Sequence, residues 1–96
     1  MKVVLTKGAF ADVDDIRAFI ARDDADRADA FVRRLHQKCA TLARHPRRYP
    51  VVASIDARDV RKLNYRGYLI FYVTNEKEVS ILRLIHGARD WADLFG

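Results

Sequence analysis

Between Phe10 and Leu42 the apolar residues recur at three- and four-residue intervals, whereas from Val60 to Ile85 they fall in short alternating or continuous runs separated by turn residues. This change of period constrains the fold more than any other feature, because a helical stripe cannot serve as a strand face or the reverse. The chain must pack helices first and strands afterwards. In the helical half, Phe10, Val13, Ile16, Phe19 and Ile20 form one apolar stripe. Asp12, Asp14, Asp15 and Arg17 lie between them, and acids in the first turns would complement the helix dipole. Asp23-Asp24-Ala25-Asp26 breaks the pattern, with Asp24 as the expected N-cap of a second helix. Ala28, Phe31, Val32, Leu35, Cys39 and Leu42 then form a second stripe that ends before Pro46. So short a connection predicts an antiparallel helical hairpin.

In the strand half, Val60 to Tyr65 alternates, Arg66-Gly67 reads as a hairpin turn, and Tyr68 to Thr74 is the strongest strand, aromatic on both faces. Asn75 to Glu78 turns the chain into a last strand, Val79 to Ile85, and residues 2–6 read as a first one. Residues 44–59 read as an irregular loop, and Arg89 to Phe95 as a short terminal helix. The predicted order is therefore β-α-α-β-β-β plus that helix, an α+β class. The helical hairpin covers one face of a small, mainly antiparallel sheet, and the other face is left for water or a partner. A charged Arg83 among apolar neighbours belongs on that open face. Alternation then sends His86 to the helix side, unless a bulge re-aims it.

Ninety-six residues, half of them hydrophobic, make one domain spanning 1–96. No run approaches the roughly 20 apolar residues of a membrane helix. A single cysteine, Cys39, on the buried stripe of the second helix, reads as a core residue. With no metal-ligand spacing either, the expectation is a cytoplasmic protein without metal or cofactor. The net charge of +5 is concentrated: residues 44–66 hold seven Lys/Arg against Asp56 and Asp59, while residues 1–43 hold eight against seven. Such a segment suits an acidic protein surface or a phosphate backbone, or is simply a solvated loop.

The closing segment Ile81-Leu82-Arg83-Leu84-Ile85-His86-Gly87-Ala88-Arg89-Asp90-Trp91 delivers an imidazole, a guanidinium and a carboxylate at a strand end. That arrangement serves chemistry or recognition. It also serves as a strand cap, with Gly87 supplying a positive φ, Arg89 and Asp90 pairing locally, and Asp90 orienting His86.

Four segments together resemble the RelE/ParE superfamily of toxins from type II toxin–antitoxin modules. They are Ala11-Asp12-Val13-Asp14-Asp15-Ile16, Phe31-Val32-Arg33-Arg34-Leu35, Val60-Arg61-Lys62-Leu63 with Tyr68-Leu69-Ile70-Phe71-Tyr72, and Ile81 to Asp90. The closing segment is more similar to the ParE branch. That branch implies inhibition of DNA gyrase by binding, with no covalent chemistry, and nucleic acid met only through the target complex. The target surface would comprise Arg47, Arg48, Arg58, Arg61, Lys62, Tyr65 and Tyr68. The resemblance also implies a cognate ParD-like antitoxin in a hetero-oligomer, held by Ile70, Tyr72, Ile81, Arg83, Trp91, Leu94 and Phe95. Trp91, Leu94 and Phe95 are core if the tail folds back and anchors if it does not. The RelE branch implies instead a ribosome-dependent mRNA endoribonuclease, for which Arg61, Lys62, Arg83 and His86 are the available cations and acid/base. Against that set, Tyr68 stands where such relatives commonly carry arginine, and Gly87 follows the histidine where they carry an aromatic residue.

Overall fold

The fold is built on a five-stranded sheet of order β1-β5-β4-β3-β2, described by a computed structural model for residues 1–87 and 90–95. The strands are β1 (Lys2–Leu5), β2 (Val51–Ile55), β3 (Arg58–Tyr65), β4 (Tyr68–Thr74) and β5 (Glu78–His86). All neighbours are antiparallel except β1 and β5, which run parallel, so the first and last strands of the chain lie side by side. Helices α1 (Lys7–Ala21) and α2 (Ala25–Ala40) form the expected hairpin on one face. Thr6 caps α1 by accepting from the Ala9 N–H, and Asp24 caps α2 by accepting from the Arg27 N–H, as its sequence position predicts. Because α1 already starts at Lys7, its first turn contains no acid. Asp12 lies a turn further on and has a different partner, described below.

The core under the helices joins Val13, Ile16, Val32, Leu35, Cys39 and Leu42 to Leu63, Ile70, Tyr72, Val79, Ile81 and Leu84 from the sheet. The other face is not left open. Val60, Leu69, Phe71, Val73 and Ile85 form a second cluster, packed by Val52 and Ile55 of β2 and by Trp91, Leu94 and Phe95 of the tail. Both the Trp91 and Phe95 rings rest on Phe71, at centroid separations of 5.1 and 5.0 Å. The tail holds this position with a 3₁₀ turn at Ala92–Leu94, where a helix over Arg89 to Phe95 was expected. Arg89 itself is outside the described residues.

Two further expectations are corrected by the sheet. Strand β2 occupies part of the segment read as irregular, because a five-residue run with Ala and Ser shows little alternation. It turns into β3 through Asp56-Ala57, both at positive φ (50° and 63°), a two-residue hairpin turn without glycine. The Arg66-Gly67 turn forms as predicted, with φ of 48° and 86°. In β5 the register against β4 shifts between Ile81 and Arg83, opposite Tyr72 and Phe71, so strict alternation fails there. Ile81 and Leu84 consequently share the helix-side core, while Leu82 and Ile85 face the second cluster. Among the described residues, no helix is long and apolar enough to cross a membrane.

Candidate functional site

Arg83 is not a free cation on an open face. Strand β1 stops where Leu5 meets Ile81, so beyond that point the edge of β5 is covered by the start of α1. There Arg83 donates from Nε to Asp12 Oδ2 at 2.7 Å and from Nη2 to Oδ1 at 3.1 Å, and the Leu84 N–H donates to Oδ2 at 2.9 Å. The side-chain bond to Asp12 raises the guanidinium's pKa further, against a smaller opposing effect of burial. Arg83 thus fastens α1 to the sheet edge.

Arg61 and Tyr72 lie on the helix side of the sheet and point at the loop after α2. Arg61 donates to the carbonyls of Arg47 (3.1 Å) and Tyr49 (2.7 Å), and the Tyr72 hydroxyl donates to the Pro46 carbonyl at 2.8 Å. The Lys62 N–H adds a bond to the Pro50 carbonyl, and the Arg48 N–H one to the His45 carbonyl. Burial pushes the Tyr72 phenol upward, partly offset by Arg61. The backbone of this loop is therefore tied down, while the side chains of Arg44, His45, Arg47 and Arg48 are exposed. Of these, His45, Arg47 and Arg48 line a groove of about 510 Å³ with Thr74, Asn75 and Glu76 at the end of the β4–β5 hairpin.

Lys62 lies on the opposite face, its ammonium 5.4 Å from the centre of the Trp91 ring. Tyr65 and Tyr68 pair with each other at the far end of the β3–β4 hairpin, where both pack toward Phe31 of α2. Arg58 begins β3 and Tyr65 ends it, a separation of about 23 Å at strand spacing. The seven residues anticipated as one target surface are thus distributed over two ends and two faces. Arg47, Arg48 and Arg58 remain exposed, and Arg61 has a structural task.

His86 pairs with Tyr68 across β4–β5 and meets its ring edge-on, with centroids 5.6 Å apart, on the side predicted by alternation. With Asp12, Asp15, Ile16, Phe19 and Tyr68 it lines a groove of about 410 Å³ between α1 and the sheet end. Gly87 follows because its N–H donates to the Gly67 carbonyl at 2.7 Å. A Cβ at Gly87 would stand 3.0 Å from that oxygen, so close approach rather than a positive φ requires the glycine. Asp90 accepts from the Ala92 N–H just before the tail turn, and the Arg89–Asp90 pairing falls outside the described residues.

Of the residues anticipated to hold an antitoxin, Ile70, Tyr72 and Ile81 are fully buried in the helix-side core and present no surface. Trp91, Leu94 and Phe95 are half-buried on the second cluster and keep one exposed side. Sequence reasoning missed Phe10 and Phe19, which are 59% and 65% exposed on α1 although their spacing places them on the apolar stripe. They flank the buried arc of α1 rather than lie within it, a distinction of helical angle visible in the wheel. Among the described residues, no three His, Cys, Asp or Glu side chains converge as a metal site would need.

Solved structures with this architecture include two toxin–antitoxin chains. A chain of a chromosomal ParDE toxin–antitoxin system from P. aeruginosa superposes with a TM-score of 0.74 at 20% identity, over 90% of this chain and 95% of that one. A chain of the archaeal RelE–RelB complex from Pyrococcus horikoshii OT3 gives 0.64 at 17% identity, over 93% and 97%. No curated protein sequence matches the chain significantly. The fold is that of RelE/ParE-type toxins. Residues 3–91 match the model of the family described as ParE toxin of type II toxin-antitoxin system, parDE, and the chain belongs to that family.

Proposed function

We propose that this chain acts, as a single cytoplasmic toxin domain, by docking on DNA gyrase and inhibiting it, and that a cognate ParD-like antitoxin neutralises it in a hetero-oligomer. The observation that carries the reading is the fate of the four residues a ribonuclease would need. Arg61 is bound by loop carbonyls and Lys62 lies over Trp91 on the opposite face, neither of them lining the α1 groove, while Arg83 is occupied by Asp12, which lines that groove with His86. Cleavage of RNA requires a base, an acid and a cation around one phosphate. A docking mechanism needs no such convergence. It needs a rigid recognition surface, and the tethered arginine loop supplies one. The half-exposed apolar residues at the α1 groove and on the tail suit a partner that buries apolar anchors, as an antitoxin segment would.

The decisive experiment compares purified toxin in two assays: supercoiling and DNA cleavage by gyrase, and cleavage of mRNA on translating ribosomes. Loss of supercoiling with accumulation of cleaved DNA, reversed by adding the antitoxin, is the expected result. Messenger cleavage with gyrase unaffected would replace this reading by the endoribonuclease one.

A further inference from the structure

The loop at residues 45–50 combines two properties that are separable in principle. Its backbone carbonyls are bound by Arg61, Tyr72 and the Lys62 N–H, so its conformation is set by the sheet beneath it. Its charged side chains are left out of that network. Arg47 and Arg48 project as neighbours, with the Arg48 guanidinium 5.6 Å from the centre of the Tyr49 ring, and Arg44 is exposed just before them. The cations of the segment from Arg44 to Arg61 are all arginines, whose planar forks match phosphate oxygens better than an ammonium does. Glu76 is the acid on the rim of the adjoining groove.

We infer that this tethered loop grips the phosphate backbone of duplex DNA, contacting it directly rather than only through the target enzyme. The choice of DNA over other polyanions rests in part on the gyrase reading above. The surface itself argues for a backbone and against an amphipathic acidic peptide. Such a peptide needs a row of apolar anchor sites, yet the exposed Phe10 and Phe19 belong to α1, and beside this loop the large exposed apolar residues among those described are Met1 at the rim and Val51 at the start of β2. It also argues against single strands, whose bases need aromatic platforms. Tyr49 is half-buried and already faced by Arg48. Fixing the loop beforehand removes an ordering cost that a mobile arginine cluster would incur on binding. Arg61 is thus a positioning residue for the contact.

The test is fluorescence anisotropy of a labelled DNA duplex of about 20 base pairs, titrated with wild-type toxin over a range of salt. Counterion release makes log K fall with log salt at about 0.9 per phosphate contacted. Replacing Arg47 and Arg48 together by alanine is expected to weaken binding at least tenfold at low salt and flatten the slope by about 2. The pair Arg33→Ala/Arg34→Ala, on the exposed side of α2, is expected to leave the slope unchanged. Arg61→Ala is expected to weaken binding several-fold at an unchanged slope, since its guanidinium faces carbonyls. Circular dichroism confirms that each variant is folded. Equal binding by wild type and the Arg47/Arg48 variant overturns the inference. So does tighter binding of an RNA duplex or of polyglutamate. Gyrase assays on the same samples separate the two ideas. Toxin that binds duplex but spares gyrase sinks the gyrase reading alone. Toxin that inhibits gyrase while the Arg47/Arg48 variant still binds DNA normally sinks this inference alone.

Discussion

Three hydrogen bonds converge on the Asp12 carboxylate, two from Arg83 and one from the Leu84 backbone, and together they close the edge of β5 that β1 is too short to cover. All three are charge-assisted, two of them with a charge on both partners, and the carboxylate is mostly withdrawn from water while Arg83 keeps about a third of its side chain exposed. Asp12→Asn is therefore expected to cost about 1–3 kcal/mol in urea unfolding, with Arg83→Ala costing a similar or smaller amount. An unchanged midpoint for Asp12→Asn would show that the pair adds nothing to the solvated alternative. The Arg17–Asp29 pair between the helices is exposed at both ends, and its removal should change little. Cys39 is a different case. Burial pushes its thiol up to about 11, so the folded state holds the proton more tightly than the unfolded chain, in which the thiol is near its ordinary value of 9.0. A raised pKa of this kind leaves stability intact below pH 9 and erodes it as pH rises toward 11, by about 3 kcal/mol in all. Tyr72, also shifted upward, acts with the same sign. Cys39→Ala should flatten part of this alkaline decline, read from denaturation midpoints between pH 8 and 11.

At the level of elements, the strands show where local pattern suffices and where it does not. β4 was legible to the residue, because six consecutive apolar and aromatic residues followed by the β-branched Thr74, bounded by Gly67 and Asn75, have no other use. β2 was not legible, since its short run takes its strand character from pairing with β3 and its turn lacks the expected glycine. Ala57 is the weak point of that turn. An L-residue at φ 63° carries about 1–2 kcal/mol of strain, part of which glycine returns as backbone entropy. Ala57→Gly is accordingly expected to stabilise the protein by about 0.5–1 kcal/mol, seen as a melting temperature higher by a few degrees. A lower melting temperature would show that the entropy of glycine outweighs the relieved strain. The bulge in β5 was equally hidden, because it is defined by register against β4.

For the molecule as a whole, the tail decides the character of the second sheet face. Phe71 is fully buried, and the rings of Trp91 and Phe95 lie directly on it. Replacing both rings by alanine should cost about 2–4 kcal/mol, below the sum for two core aromatics since each ring is half-exposed. It should also increase binding of an apolar dye such as ANS at neutral pH. A variant with native stability and no added dye binding would mean that the tail is dispensable to the core and is held for a partner instead.

Sequence alone determined the class of fold, the two helices with the Asp24 cap, the β3–β4 hairpin and the core role of Cys39, because periodicity, caps and turn chemistry act within a few residues. It located the cationic segment as well. The family resemblance also came from its residues, and the match over 3–91 bears that out. Tertiary structure alone decided which of those cations are free. The parallel pairing of β1 with β5 brought Asp12 to Arg83, and the packing of the loop on β3 and β4 converted Arg61 from a surface charge into a tether. Charge is a property of the residue, whereas availability depends on which backbone carbonyl or carboxylate the fold brings within 3 Å.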